Sequence, residues 1–186
     1  MLIKKRALIL IDMQQGMKSP TLPSRNNPEA EHNMAVLRDA WRQSGHPVIN
    51  VCHISRSQNS VFFPGQSGAE FQERFQPLPE EHVVEKIVPD AFIHTGLERW
   101  LHARDIRHLV IVGVSTNNSV ESSARTAGNL GFSTVVVSDA TFAFEQRDFS
   151  GHLRSAQEVH LMSLANLDGE YATVRSTAQV LGELHD

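Results

Sequence analysis

A chain of 186 residues, 40% apolar and 20% charged, has room for one sizeable core and the ordinary composition of a globular protein. Its formal net charge of -4 and pI near 6.2 give no basis for nucleic acid or an anionic membrane as a partner. No apolar run approaches the roughly 20 residues that cross a bilayer, and a single cysteine, Cys52, provides no internal disulfide framework.

The N-terminal stretch Met1–Arg6 is basic. The apolar run behind it is too short for a signal sequence and lacks a small-residue cleavage site, so a cytoplasmic protein is expected. Ala7 to Ile11 is continuously apolar and ends in Asp12, the pattern of a strand buried on both faces of a parallel sheet. Asp12 to Asn27, with Gly16, Pro20 and Pro23, reads as a loop. Asn27-Pro28 then predicts a helix start with Asn27 as N-cap; Ala30, Met34, Leu37 and Trp41 share one face, and Gly45 ends it.

Pro47 to Ile54 reads as a second strand. Ser55 to Pro79 is a long loop carrying Phe62, Phe63, Phe71 and Phe75, a length that points to function or to an interface. His82 to Lys86 is a short strand, and Thr95 with Glu98 reads as a capping box for the helix of Leu97, Trp100 and Leu101. His108 to Val112 is apolar and runs into the polar turn Gly113-Val114-Ser115-Thr116-Asn117-Asn118-Ser119. The helix that follows places small residues, Ala124, Ala127 and Gly128, on one side and stops at Gly131. Ser133 to Ser138 is a strand ending at Asp139, and Thr141 to Gly151 a loop with Phe142, Phe144 and Phe149. A helix follows from about His152 to Leu164. Tyr171 to Arg175 is the last strand, and Ser176 with Gln179 opens a C-terminal helix. This alternation predicts a single α/β domain over residues 1–186 around a mostly parallel sheet.

Open α/β sheets bind ligands at the carboxyl ends of their strands. Asp12, Lys86, Ser119 and Asp139 all fall at such ends. Ser119 sits where a strand turns into a helix, and backbone N–H groups converge at such a corner. A nucleophile there needs a base for its proton and donors for the oxyanion it creates. Asp12 suits the first role, Lys86 can hold negative charge, and the Asn118 and Ser119 N–H groups suit the last. Each residue also has a purely structural account: Asp12 as a turn cap, Lys86 as its ion-pair partner, Ser119 as an ordinary first-turn residue.

The stretches Ile11-Asp12-Met13-Gln14, Val83-Val84-Glu85-Lys86 with Asp90, Phe92 and Thr95, and Gly113 to Val120 resemble the isochorismatase-like superfamily of cysteine hydrolases. The similarity continues through Ala124, Ala127, Leu130-Gly131-Phe132, Ser138-Asp139-Ala140 and Leu164 to Leu167, in order over nearly the whole chain. It implies a three-layer α/β/α, Rossmann-like fold around a six-stranded parallel sheet, assembly as a homodimer or homotetramer, and an Asp–Lys–Cys catalytic set. That set falls on Asp12, Lys86 and position 119. It also implies a cis peptide between Val114 and Ser115, which places Ser115 among the backbone groups of the oxyanion corner. The chain departs from the pattern at position 119, where serine stands for cysteine. A Cys→Ser replacement, a serine variant in its own right, and chemistry that needs no thiol are all compatible with this.

The expected activity is hydrolysis of a small amide or related C–N substrate. Enol-ether hydrolysis with Asp12 as general acid, and a catalytically silent binding protein, are the alternatives. Phe62, Phe63 and Phe144, near one sheet edge with Phe142, are candidates to line an apolar substrate pocket or to pack in an interface. Cys52, inside a strand, reads as a buried inert thiol. The 10 histidines include no pair at i,i+3 or i,i+4, so no metal and no cofactor are expected. His53 near a strand end is placed to touch substrate, and Arg56 to hold a carboxylate or to be solvated.

Overall fold

The apolar runs of the sequence become the inner strands of one sheet. The computed structural model describes residues 5–184, so most of the basic stretch that begins at Met1 lies outside it. The strands are β1 (Arg6–Ile11), β2 (Val48–His53), β3 (His82–Lys86), β4 (His108–Val114), β5 (Ser133–Phe142) and β8 (Thr173–Arg175). They form a six-stranded sheet in the order β3-β2-β1-β4-β5-β8, and every neighbouring pair is parallel. The chain winds outward from β1 to β3, then returns to the other side of β1 and winds outward again. The order therefore reverses between β1 and β4, the place where such sheets open a ligand crevice.

Alternate residues of the central strands face two different helical layers, giving the three-layer α/β/α arrangement. Ala7, Ile9 and Ile11 pack with Leu97 and Leu101 of α2 (Leu97–His102), Ala124 and Ala127 of α3 (Glu121–Asn129), and Leu164 of α4 (Ala156–Leu167). Leu8 and Leu10 pack with Met34, Leu37 and Trp41 of α1 (Ala30–Gln43) and with Val180 of α5 (Thr177–Leu184). The small face of α3 works as its composition suggests: a Cβ on Gly128 would stand 2.5 Å from the Tyr171 carbonyl oxygen.

Several expectations are corrected. Asn27 is not the N-cap of α1; the helix begins after Glu29, and Asn27 takes a left-handed φ of 47°. Its side-chain amide donates to the Ser138 and Thr141 carbonyls at 2.8 and 2.7 Å, tying the loop before α1 to β5. Thr95 forms no capping box: its hydroxyl donates to the Ala91 carbonyl at 2.6 Å, and the N-cap of α2 is Gly96. Beyond Ser138, β5 runs on to Phe142, because Thr141 and Phe142 regain pairing with Gly113 and Val114 after a register shift. A small antiparallel hairpin spans the end of the stretch read as a loop, β6 (Gln146–Arg147), and the start of the one read as a helix, β7 (Leu153–Arg154). It delays α4 until Ser155, which caps the helix in a complete capping box with Glu158. That Ser-x-x-Glu signal was present in the sequence. The loop read over Asp12–Asn27 contains a 3₁₀ turn, Gln15–Lys18.

Candidate active site

Lys86 joins the carboxyl ends of three strands. It ends β3, and two strand spacings of roughly 4.8 Å separate β3 from β1. Its four-carbon stem crosses that gap, so that Nζ donates to Asp12 Oδ2 at 2.8 Å and to Ser119 Oγ at 3.2 Å. Lys86 and Asp12 are each about 1% exposed, and Ser119 is 6% exposed. The three residues singled out at strand ends are thus brought together, on both sides of the point where strand order reverses. Asp139, the fourth, is directed elsewhere: its carboxylate accepts from the Thr177 amide and hydroxyl at the start of α5, both at 2.8 Å.

Burial pushes the Asp12 carboxyl above its ordinary range, and the Lys86 ammonium opposes that rise. Asp12 itself takes a left-handed φ of 56° at the exit of β1. Its Oδ1 is buried without a hydrogen-bond partner among the described residues. Gln14 fixes the segment after Asp12: its amide donates to the His53 and Ala69 carbonyls at 3.0 and 2.8 Å and accepts from the His53 N–H at 2.8 Å. The Gln72 side chain donates to the Gln14 carbonyl at 3.1 Å. The long loop is therefore anchored against the end of β1.

The turn carrying Ser119 is a π-helical turn, Thr116–Val120, continuous with α3. A close approach precedes it: Gly113 has a φ of 125°, and a Cβ there would stand 2.2 Å from the Ile11 carbonyl oxygen. The Val114–Ser115 peptide is cis, as the resemblance implies. The Asn118 N–H, expected to face an oxyanion, instead donates to the Ser115 carbonyl at 3.1 Å, as does the Val120 N–H at 3.2 Å. A tight i→i−3 bond from Asn118 and a wider i→i−5 bond from Val120 both close on the Ser115 carbonyl, which removes Asn118 from the expected donor set.

Beneath the turn lies a buried network that the sequence did not disclose. His160 of α4 meets the Thr116 hydroxyl at 2.8 Å through Nδ1. The Ser163 hydroxyl bonds the Thr116 carbonyl at 2.9 Å and the Glu121 carboxylate at 2.6 Å. Burial lowers the His160 pKa below the ordinary histidine value of 6.5, opposed by a hydrogen bond to the Ser138 backbone. His46, His53 and His82 are lowered as well, each chiefly by burial. All four give up their protons in the folded chain at a lower pH than in the unfolded chain. Protons therefore favour the unfolded state between those values and about 6.5, and stability is lost as pH falls through that window. Urea midpoints should drop between about pH 7.5 and 5.5, and His160→Gln should flatten that dependence; an unchanged slope would remove His160 from the account.

Of the aromatic candidates, Phe62 reaches the site region, its ring lying edge-on to His53 with centroids 6.0 Å apart. Phe63 closes a turn onto the Ser60 carbonyl. Phe144 packs edge-on against Phe142, and Phe142 is core, with the Arg25 guanidinium 3.9 Å from its ring centre. Arg56 is exposed. Cys52 is a buried free thiol pushed up to about 12, mainly by burial. Among the described residues no group of three or more His, Cys, Asp or Glu is arranged to hold a metal, and no helix is long and apolar enough to cross a membrane.

The chain is thus a three-layer α/β/α protein that gathers a buried Lys–Asp pair and a hydroxyl at the switch point of a parallel sheet. The model of the isochorismatase domain matches residues 6–179, and the chain belongs to the isochorismatase family of hydrolases. It is 48% identical to an isochorismatase-family protein of known crystal structure from Chromobacterium violaceum. That match covers 97% of this chain and 94% of that one, with a TM-score of 0.95. It is 37% identical to the isochorismatase-family protein YrdC of Bacillus subtilis, over 97% of this chain and 96% of YrdC. It is 30% identical to the ureidoacrylate amidohydrolase RutB of Caulobacter segnis, over 67% of this chain and 48% of RutB.

Proposed function

We propose that this protein hydrolyses a small amide or related C–N bond at the Asp12–Lys86–Ser119 site. The observation that carries the reading is the position of Lys86 Nζ, bonded at once to the Asp12 carboxylate and to the Ser119 hydroxyl inside the protein. The similarity to an amidohydrolase supports the choice of bond. In this scheme the Ser119 oxygen attacks the amide carbonyl while its proton passes to Asp12. The tetrahedral oxyanion is held by the Ser119 N–H, and Lys86 keeps positive charge beside the reacting atoms. Collapse breaks the C–N bond as Asp12 returns the proton to the departing nitrogen. Water, activated by Asp12, then releases the acyl group from Ser119 as a carboxylic acid.

A carboxyl raised by burial is suited to holding and returning a proton. The same property favours a second reading, enol-ether cleavage with Asp12 as acid and Ser119 a bystander. A panel of short aliphatic and aromatic amides, assayed with the unmodified protein, Ser119→Ala and Asp12→Asn, separates them. Amide turnover lost in both variants supports the covalent scheme, with losses of about 10³-fold or more. Turnover that survives Ser119→Ala but not Asp12→Asn favours the acid-only route. Saturable binding with no turnover by any form points to a binding protein.

A further inference from the structure

One buried titratable side chain near the site has no part in the proposed chemistry. His160 of α4 is 2% exposed, and its Nδ1 lies 2.8 Å from the Thr116 hydroxyl. Thr116 is itself fully buried and opens the turn that carries Ser119. Polar groups at such depth are kept where their hydrogen bonds are made, and losing one partner is costly.

The proton on His160 is placed by its neighbours. Both hydrogens of the Asn27 amide are committed to the Ser138 and Thr141 carbonyls at 2.8 and 2.7 Å. Nε2, 3.4 Å from that amide nitrogen, receives nothing from it and is the nitrogen that donates to the Ser138 backbone. Burial lowers the pKa of the ring and favours its neutral form, so Nδ1 accepts the Thr116 hydroxyl proton. Ser163, three residues further along α4 and on the same face, has its hydroxyl 2.9 Å from the Thr116 carbonyl oxygen. That carbonyl also accepts the Glu121 N–H, the i→i−5 bond of the turn. Helix α4 therefore holds Thr116 by its side chain and by its carbonyl. At the other end of the turn, the Ser123 hydroxyl donates to the Ser119 carbonyl at 2.7 Å and accepts from the Ala91 N–H at 2.9 Å.

We propose that His160 is a positioning residue: through Thr116 it holds the turn that keeps the residue at position 119 within reach of Lys86. Its effect on turnover rests on the reading of Ser119 as the reacting group, and the contact it protects is the 3.2 Å bond from Lys86 Nζ. Among the described residues His160 bonds Thr116, Asn27 and Ser138, and none of Asp12, Lys86 or Ser119. Without the imidazole, the buried Thr116 hydroxyl has to find another partner, and the turn moves with it. A shift of about 1 Å at a reacting atom costs on the order of 100-fold in rate.

The test reads the placement of position 119 without a substrate. In a Ser119→Cys background, the rate of iodoacetamide alkylation at position 119 and the pH midpoint of that rate report how closely the sulfur stands to Lys86. Buried Cys52 is the internal control. His160→Leu should slow alkylation about 10-fold at neutral pH and raise the midpoint by about one pH unit. Thr116→Val should do the same, and the two together should add little, because they remove one and the same bond. His160→Asn, which keeps an acceptor near the Nδ1 position, should recover most of the rate. Leu164→Ala controls for stability: it loosens α4 from the core, lowers Tm, and should leave the midpoint where it was. With Ser119 in place, His160→Leu should lower kcat on a cleaved amide by about 10- to 100-fold, with KM changed by less than about 2-fold. An unshifted midpoint in both His160→Leu and Thr116→Val, or an equal shift in Leu164→Ala, overturns the role. If His160→Leu does not fold, Thr116→Val against His160→Asn decides in the same way. A shifted midpoint in a protein that cleaves no amide sinks the amide reading and still supports the hold of His160 on position 119.

Discussion

Lys86→Met should destabilise the protein by about 3–5 kcal/mol, the cost of leaving one member of a buried ion pair without its partner. Lys86 is among the largest fully buried side chains and has its ammonium 2.8 Å from Asp12 Oδ2. Removing it leaves a carboxyl that burial already pushes upward, now without the cation that opposes that shift. The carboxyl responds by taking up a proton. The penalty should therefore be largest where the unmodified Asp12 is ionised and should shrink on acidification. For a chain of this length a loss of that size lowers Tm by roughly 6–20 °C. Thermal unfolding followed by circular dichroism at two pH values reads both parts. The pair itself contributes less than its breakage suggests, because both charges had to leave water. Asp12→Leu combined with Lys86→Met should recover most of the lost stability while abolishing whatever turnover the site performs. A single-variant loss below about 1 kcal/mol and independent of pH would mean that the pair is solvated in solution, and would undermine the raised carboxyl on which the mechanism depends.

That pair also marks how far the sequence could be read. Apolar runs such as Ala7–Ile11 and His108–Val112 suit strands buried on both faces, and the helical spacing between them points to a mostly parallel sheet. Topology puts the polar residues that close those runs at one edge, but side-chain contacts decide which of them meet: Asp12, Lys86 and Ser119 do, and Asp139 turns to Thr177 instead. What stayed hidden depends on contacts distant in sequence. Asn27 looked like a helix cap because Asn-Pro favours one locally. Two β5 carbonyls, 111 and 114 residues away, recruit its amide instead. The continuation of β5 past Asp139 was masked by a charged residue in mid-strand, whose carboxylate is satisfied by Thr177 of α5. The Asn118 N–H looked free because a standard helix start leaves its first amides open; a tight i→i−3 bond closes this one onto the Ser115 carbonyl. The Nδ1 of His53, which has no hydrogen-bond partner among the described residues, has no sequence signature at all.

Ser119→Cys should yield a thiol far more reactive than the one the chain already has. A cysteine placed at position 119 would lie beside the Lys86 ammonium, which is 3.2 Å from the present hydroxyl, two residues before α3 begins. Both features favour the thiolate, and Asp12 can accept the thiol proton. The only native cysteine, Cys52, makes a good internal control, because it is buried and pushed up to about 12. Iodoacetamide near neutral pH should therefore modify position 119 alone, as peptide mapping would show. On the amide panel the variant should exceed the unmodified protein by about 100-fold or more, since a thiolate needs less help from its base than a hydroxyl. Rapid quenching should trap an acyl group at position 119, visible as a mass increase matching the substrate's acyl part. Lys86→Met in the Ser119→Cys background should slow alkylation, since the cation that favours the thiolate is gone. If the introduced thiol reacts no faster than Cys52, or its alkylation rate ignores Lys86, the charge arrangement around position 119 is not the activating one that the proposed mechanism requires.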